Sequence, residues 1–166
     1  YAYSWKSFVQ MAGDGMPGEL REIGGWLSQH IPTIKAKLTV PPRTIVHGDY
    51  RLDNCFLSTT SQAPSLVVFD WEYCSIGRGA YDVATFINEA FQPKQRRREE
   101  MGLLRMYHSL LIEHGISDYS FEECLEDYRV SMLEIFIFWV VIGGYCDYEI
   151  DERATIYLHN ACERFD

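Results

Sequence analysis

The chain has 166 residues, of which 47% are hydrophobic and 14% aromatic, values typical of a single folded domain with a real core. Its formal net charge of −9 repels phosphate backbones, so nucleic-acid binding is not expected. The five cysteines form no C-x-x-C pair, which argues against a zinc site or disulfide framework and favours a cytoplasmic protein. No apolar run reaches the ~20 residues of a membrane-spanning helix, and no signal peptide is recognisable.

Helical periodicity dominates the first part of the chain. Residues 1–12 are predicted as a helix, residues 13–18 as a loop, and residues 19–37 as a second helix with apolar side chains at helical spacing. A short strand follows at Thr44–Val46, and residues 47–54 are predicted as a loop.

The rest of the chain predicts one hairpin and then helices only. The hairpin joins residues 55–57 to residues 66–69 through a connection rich in Ser, Thr and Pro. Ser120 and Glu123 have the spacing of a capping box. The predicted helices cover residues 80–91, 94–114, 120–141 and 152–165. The expected fold is α+β and mainly helical, in one domain over residues 1–166.

A glycine motif in the first loop is interpreted as a plain turn. Residues 13–18 read G-D-G-M-P-G, which matches G-x-G-x-x-G, and Lys35 follows at a distance that suggests a kinase glycine loop and its lysine. That motif needs a strand before it, whereas residues 1–12 do not alternate like a strand. Too few residues separate Lys35 from His47 to hold the lysine's glutamate partner.

The strongest functional signal lies between His47 and Asp70. Asp49 and Asn54 have the D-x-x-x-x-N spacing of a kinase catalytic loop, and Asp70 ends the second hairpin strand. The hairpin returns the chain beside the loop, so Asn54 and Asp70 are expected to share one Mg²⁺, a cation that prefers oxygen ligands. Asp49 is then placed to accept a proton from a hydroxyl group.

Several neighbouring side chains have two interpretations each. Arg51 either stabilises a transferring phosphate or is a solvated loop residue. His47 is predicted to shape the loop through a bond to a backbone group rather than to act as a base. Asp82 either caps the helix that it opens or bonds back to the loop. Asp53 is predicted as a surface charge, and Glu72 as a substrate or helix-end contact.

These residues resemble the aminoglycoside phosphotransferase and choline kinase superfamily of small-molecule kinases. Residues 47–54 match its H-G-D-x-x-x-x-N loop. Residues 70–73, D-W-E-Y, and residues 79–84, G-A-Y-D-V-A, are similar to its metal aspartate and its Y-D-x-A helix start. Residues 107–128 resemble the ecdysteroid-kinase-like branch. The resemblance is strongest over residues 43–91.

The resemblance implies a protein-kinase-like C-terminal lobe in which Asp49 is the catalytic base and Asn54 and Asp70 are the magnesium ligands. It implies ATP as phosphate donor and a small hydroxylated molecule as acceptor. The family's N-terminal lobe is absent from these residues, so we expect a fragment, or a missing lobe in cis or on another chain. Without that lobe the isolated chain is expected to be inactive.

The resemblance also implies an acceptor pocket built from the later helices, although the sequence does not select its residues. The candidates are acidic or aromatic: Glu113, Asp118, Tyr119, Glu122, Glu123, Trp139, Tyr145 and Asp147. The alternative function is a ligand- or partner-binding module that is derived from a kinase lobe and performs no chemistry.

Overall fold

The fold is described here from a computed structural model for residues 1–13, 16–58 and 65–145, with Tyr145 described by its backbone only. This part of the chain is mainly helical, with four short strands, so the predicted α+β class is confirmed. The helices are α1 (Ala2–Ala12), α2 (Gly18–Thr39), α3 (Ala80–Ala90), α4 (Pro93–Glu113) and α5 (Phe121–Tyr145). The strands are β1 (Thr44–Val46), β2 (Cys55–Ser58), β3 (Ser65–Val68) and β4 (Ser75–Gly77).

The strands form two separate antiparallel pairs. In the predicted hairpin, β2 pairs with β3, and Cys55 lies opposite Val68. The other pair joins β1 to β4, with Val46 opposite Ser75. Strand β4 was not predicted, because three residues are too few to show alternation and their pairing partner lies far away in the sequence. The pairing of β1 with β4 brings together the two ends of the segment that contains the predicted loop and the β2–β3 hairpin.

Helix α5 is central to the core because it packs on both sides. One cluster joins it to α1 and α2 through buried Phe8, Leu27 and Phe136. The other joins it to α3 and α4 through buried Ile87 and Leu104. Each fully buried side chain of this size contributes about 1.5–3 kcal/mol relative to exposure, so these clusters give the loop region a rigid support.

Local signals explain where the helices begin. The Ser120 Oγ accepts a hydrogen bond from the Glu123 amide at 3.1 Å, and a Glu123 carboxylate oxygen accepts one from the Ser120 amide at 2.8 Å. The predicted capping box is thereby confirmed. Helix α4 begins with Pro93 at its first turn, where a missing amide hydrogen costs nothing. The helix predicted over residues 152–165 lies outside the described residues.

The glycine motif lies between two helices. Gly13 ends α1 with a φ of 56°, and α2 begins at Gly18. Asp14 and Gly15 of the motif lie outside the described residues. Because a helix rather than a strand precedes the motif, the interpretation as a turn holds. Lys35 lies on α2 and pairs with Glu134 of α5 at 2.5 Å. Among the described residues, no helix is long and apolar enough to cross a bilayer.

Candidate functional site

His47 anchors the start of the loop that follows β1. Its side chain is only 2% exposed. The ring Nδ1 accepts a hydrogen bond from the Asp49 amide at 3.2 Å, so the proton lies on Nε2, which donates to the Phe69 carbonyl at 2.8 Å. The imidazole is therefore neutral and joins the loop to the end of β3, and the geometry is that of a loop-shaping residue.

Asp82 fixes the same part of the loop from the first turn of α3. One carboxylate oxygen accepts a hydrogen bond from the His47 amide at 2.7 Å, and the other accepts one from the Gly48 amide at 3.0 Å. Burial raises the pKa of Asp82, whereas these two backbone donors lower it. Of its two predicted contacts, the structure shows the one to the loop.

Gly48 is required where the loop passes the segment after β3. Its φ of 86° lies in the left-handed region that glycine adopts most readily. A Cβ atom at this position would lie 2.4 Å from the Tyr73 carbonyl oxygen. Any larger residue would push the loop away from Tyr73 and disturb the amides that Asp82 holds.

Asp49 and Asn54 are in direct contact. The Asn54 Nδ2 donates to the Asp49 carbonyl at 2.9 Å and to the Asp49 Oδ2 at 2.8 Å. Both acceptors require the amide nitrogen on this side, which directs the Asn54 Oδ1 away from Asp49. Asn54 is 4% exposed, whereas 26% of the Asp49 side chain is exposed. The carboxylate is thus fixed and also accessible.

Arg51 lies against Asp49 rather than extending into solvent. Its Nε is 3.2 Å from the Asp49 Oδ2, and one terminal nitrogen is 3.9 Å from the Asp53 Oδ2. About a third of its side chain, 32%, is exposed. Arg51 is therefore paired with Asp49, and its contact with a transferring phosphate stays a prediction. Asp53 is exposed, as predicted.

Asp70 follows β3 in a conformation that few non-glycine residues adopt. Its φ is 64°, and its side chain is exposed. The preceding residue, Phe69, donates its amide to the Asn54 carbonyl at 3.1 Å and accepts the His47 ring proton. The backbone at Asp70 is therefore held against the predicted catalytic loop, and the strained φ sets the direction of the carboxylate.

Asn54 and Asp70 fit a hard divalent cation whose other ligands are water or phosphate oxygens. Asn54 offers Oδ1, and Asp70 offers an exposed carboxylate. The described part of the chain has no group of three or more His, Cys, Asp or Glu side chains arranged as a metal site. Two oxygen ligands from the protein suit Mg²⁺, which usually keeps water and phosphate oxygens in its shell.

One acidic residue of the site was missed in the sequence. Glu89 lies on α3, and burial raises its pKa to about 7, an effect that the charge of Arg51 opposes and those of Asp49 and Asp53 reinforce. Its spacing of seven residues from Asp82 is the signal that could have revealed it, because two helical turns return to the same face.

A cavity of about 280 Å³ opens beside the loop. Gly48 and Tyr73 form the wall nearest the loop, and Tyr81, Glu134 and Phe138 come from α3 and α5. Burial raises the pKa of Tyr81 far above its usual value, and the charges of Glu134 and Asp49 act in the same direction. The phenol therefore stays protonated and offers a hydrogen-bond donor.

The acceptor-pocket candidates from the sequence do not line this cavity. Glu123 is engaged in the capping box, and Tyr119 donates its hydroxyl to the Asp127 Oδ2 at 2.7 Å. Tyr119 instead lines a second cavity with Arg78 and Tyr107. Glu113, Asp118 and Glu122 are exposed and Trp139 is partly buried; the Tyr145 side chain and Asp147 lie outside the description.

Comparison with known proteins identifies the family. The model of the phosphotransferase enzyme family (APH) matches residues 12–119, which is most of the chain and includes the loop, the hairpin and α3. The chain belongs to this family, so the resemblance to aminoglycoside phosphotransferases and choline kinases is confirmed at the family level. No curated protein and no solved structure matches the chain.

Proposed function

We propose that the protein transfers the γ-phosphate of ATP to a hydroxyl group of a small molecule, as an aminoglycoside- or choline-kinase-like O-phosphotransferase. The observation that carries this proposal is the fixed carboxylate of Asp49. This carboxylate contacts Asn54 and Arg51. The loop that carries it is joined to α3 by the hydrogen bond from the His47 amide to Asp82. Family membership supports phosphotransfer in general, and this geometry supports an acceptor that must lose a proton.

In the proposed reaction, Asp49 accepts the proton of the acceptor hydroxyl as the hydroxyl oxygen attacks the γ-phosphorus, and the bond from the γ-phosphorus to the β–γ bridging oxygen breaks, so that ADP leaves. Asn54 holds the carboxylate through its amide hydrogens, so that one orientation is kept without reorganisation. The guanidinium of Arg51 lies beside Asp49, where it can donate to the oxygens of the transferring phosphate. His47 and Asp82 take no proton and keep the loop in place.

The proposal includes Mg²⁺ with Asn54 and Asp70 as its protein ligands. When bound, the cation neutralises charge on the phosphate oxygens. Asn54 would link the two functions, because its nitrogen holds Asp49 and its oxygen would be left to bind the cation.

We further propose that a nucleotide-binding lobe, in cis or on another chain, packs on the hairpin to form a kinase-like pair of lobes. The hairpin offers a surface for it, because Phe56, Leu57, Leu66 and Val67 are all more than half exposed. Exposed apolar groups on a two-stranded ribbon favour contact with another folded element. The cavity beside Gly48 is the proposed binding site for the acceptor, since it opens next to the loop that carries Asp49.

The alternative function is a binding module that performs no chemistry. In that case the same exposed hairpin would be its docking surface. A purified full-length protein distinguishes the two. With Mg²⁺ and ATP and a panel of hydroxylated acceptors, phosphorus NMR should show ADP and a phosphate ester. Asp49→Asn should remove the ester signal. The binding module would be supported by two results together. Calorimetry would give the same acceptor affinity with and without Mg²⁺ and ATP, and no acceptor would yield a phosphate ester.

A further inference from the structure

The second cavity, which Tyr119 lines, lies beside the start of helix α3. Its volume is about 360 Å³, which is in the range of pockets that hold small molecules. Its walls come from residues 42–44, residues 78–79, helices α4 and α5 and the loop between them. The described residues that line it include none of residues 47–54, and Asp70 is not among them. The proposed phosphate transfer therefore gives this cavity no task.

Two side chains on the wall of the second cavity have donor groups that make no hydrogen bond to any described residue. One is the hydroxyl of Tyr107. Burial raises the pKa of Tyr107 to about 12, so the phenol stays protonated and can donate. Gly79 leaves room for it, because a Cβ atom there would lie 2.6 Å from the phenol oxygen. The other is the guanidinium of Arg43, which is exposed and forms no ion pair with a described residue.

Arg78 brings a second guanidinium to the second cavity, and only 14% of its side chain is exposed. Its Nη1 lies 3.4 Å from the Asp127 Oδ2, which also accepts the hydroxyl of Tyr119 at 2.7 Å. The Arg78 Nε is buried and has no hydrogen-bond partner among the described residues, whereas buried polar atoms nearly always have one. Asp127 therefore balances one guanidinium and leaves donors of this wall unused.

The charges of this lining favour an anion. The described residues on the wall carry two guanidinium groups and one carboxylate, in a chain whose net charge is −9. Carboxylates and phosphates accept hydrogen bonds from guanidinium and hydroxyl donors, and these charge-assisted bonds are the strong ones. A ligand with an ammonium group would instead be repelled by Arg43 and would compete with Arg78 for Asp127.

The rest of the wall favours a ligand that also has an apolar part. A bare inorganic anion would fill only a fraction of the volume and would leave apolar surface uncovered, whereas contact with an apolar group removes that surface from water. The apolar side chains that line the cavity are Pro42, Leu111 and Ile116.

We propose that the second cavity is a binding site for a small organic anion that joins a carboxylate or phosphate group to an apolar body. The anionic group would accept hydrogen bonds from Tyr107 and the two guanidinium groups, and the body would pack on the apolar part of the wall. Thr44 begins β1 and Gly79 precedes α3, so the ligand would contact both elements that hold the predicted catalytic loop. The site is additional to the proposed acceptor cavity, although Arg78 lines both.

The first test compares three probes that share a benzene ring and one attached carbon: benzoate, benzyl alcohol and benzylamine. Ligand-observed NMR with the full-length protein at low salt gives the dissociation constant of each. Benzoate should bind about tenfold more tightly than benzyl alcohol, because its hydrogen bonds are charge-assisted, and benzylamine should bind least. Equal binding of all three probes, or no binding of benzoate, would overturn the proposal. The test uses neither nucleotide nor turnover, so its outcome is independent of the proposed function.

The second test locates the bound benzoate with two residues that line this cavity and are not among those described for the cavity beside Gly48. Tyr107→Phe should weaken benzoate binding about tenfold, because a donor to a charged group is lost. Arg43→Gln should weaken it about threefold, an effect that high salt removes because this cation is exposed.

Arg98→Gln is the matched control for the change in net charge. Arg98 is an exposed arginine of α4 that pairs with Glu99, and it is not among the described residues that line the second cavity. It should leave the affinity for benzoate unchanged. If Tyr107→Phe and Arg43→Gln have no more effect than this control, benzoate binds elsewhere and the proposed site is wrong.

Discussion

The predicted catalytic loop, residues 47–54, and the β2–β3 hairpin are neighbours in sequence but differ in which of their side chains are buried. In the loop, polar His47 and Asn54 are buried at 2% and 4% exposure. In the hairpin, apolar Phe56, Leu57 and Val67 are 64%, 65% and 56% exposed. The usual relation between polarity and burial is reversed in both regions, and the hydrogen bonds of the loop explain the first reversal.

This difference distinguishes a region whose contacts lie within the chain, the loop, from a region whose apolar surface is exposed and available to another folded element, the hairpin. The His47 ring, the Asn54 amide nitrogen and the His47 and Gly48 backbone amides find partners in Phe69, Asp49 and Asp82, so these contacts are made within the described residues. The apolar groups of the hairpin stabilise no described core cluster. Substitutions in the loop should therefore affect function and folding, whereas substitutions in the hairpin should affect contacts with another element.

The largest effect is expected from Asp49→Asn in an assay of ATP-dependent phosphate transfer. An amide cannot accept the proton, so the rate should fall by roughly 10²–10⁴-fold, the contribution of a positioned general base. The thermal midpoint should change little, because Asn is of the same size and still accepts from Asn54 through its carbonyl oxygen. A variant that keeps most of its rate would show that Asp49 is not the base.

The next largest effect is expected from Asp82→Ala on stability. The His47 and Gly48 amides would each lose a hydrogen bond to a charged acceptor, worth about 1.5–3 kcal/mol. The free energy of unfolding, measured with urea, should fall by about 3 kcal/mol or more. Asp82→Asn keeps one acceptor and should lose about half as much. Glu72→Gln is the control, because Glu72 is exposed.

Sequence predicted those parts of the fold whose causes are local. The β2–β3 hairpin and the Ser120–Glu123 capping box depend on residues that are close in the sequence, and both are present. The contact of Asp49 with Asn54 also lies within one short loop. Strand β4 was missed because its partner is β1, more than 25 residues away, and three residues carry no periodic signal.

The missed parts of the site depend on packing between elements. Glu89 enters the site because α3 lies along the loop, a fact that only the tertiary structure supplies, although its spacing from Asp82 was visible. The cavity beside Gly48 is formed by α2, α3, α5 and the β1–β4 pair together. The acidic and aromatic residues that the sequence offered for an acceptor pocket do not line this cavity, and their role stays a prediction.

A smaller and pH-dependent effect is expected from Glu89→Gln on stability. The Glu89 pKa rises from 4.5 to about 7 on folding, so the native state binds more protons than the unfolded state between these values. Its contribution to stability is full below pH 4.5 and is lost as the pH rises through 7. At pH 8, Gln should therefore stabilise the protein by about 3 kcal/mol, despite the loss of attraction to Arg51.

Measurements of the free energy of unfolding at low pH provide the control for this prediction. Near pH 4, where Glu89 is neutral in both states, the variant and the parent should have the same free energy of unfolding. The charges of Asp49 and Asp53 also act on Glu89 from the loop, so the comparison must be the difference between the two proteins at each pH. A difference that does not vary with pH would show that the Glu89 pKa is the same in the folded and unfolded states.

The smallest effect on stability is expected in the hairpin, where Leu57 and Leu66 lie opposite each other. Replacing both by Thr keeps strand propensity and removes apolar surface that is already exposed, so the free energy of unfolding should change by less than about 0.5 kcal/mol. In the full-length protein, the same pair should raise the KM for ATP if a nucleotide-binding lobe covers this face. A large loss of stability without any change in ATP binding would mean that the hairpin belongs to the core of this chain, and the contrast with the catalytic loop would disappear.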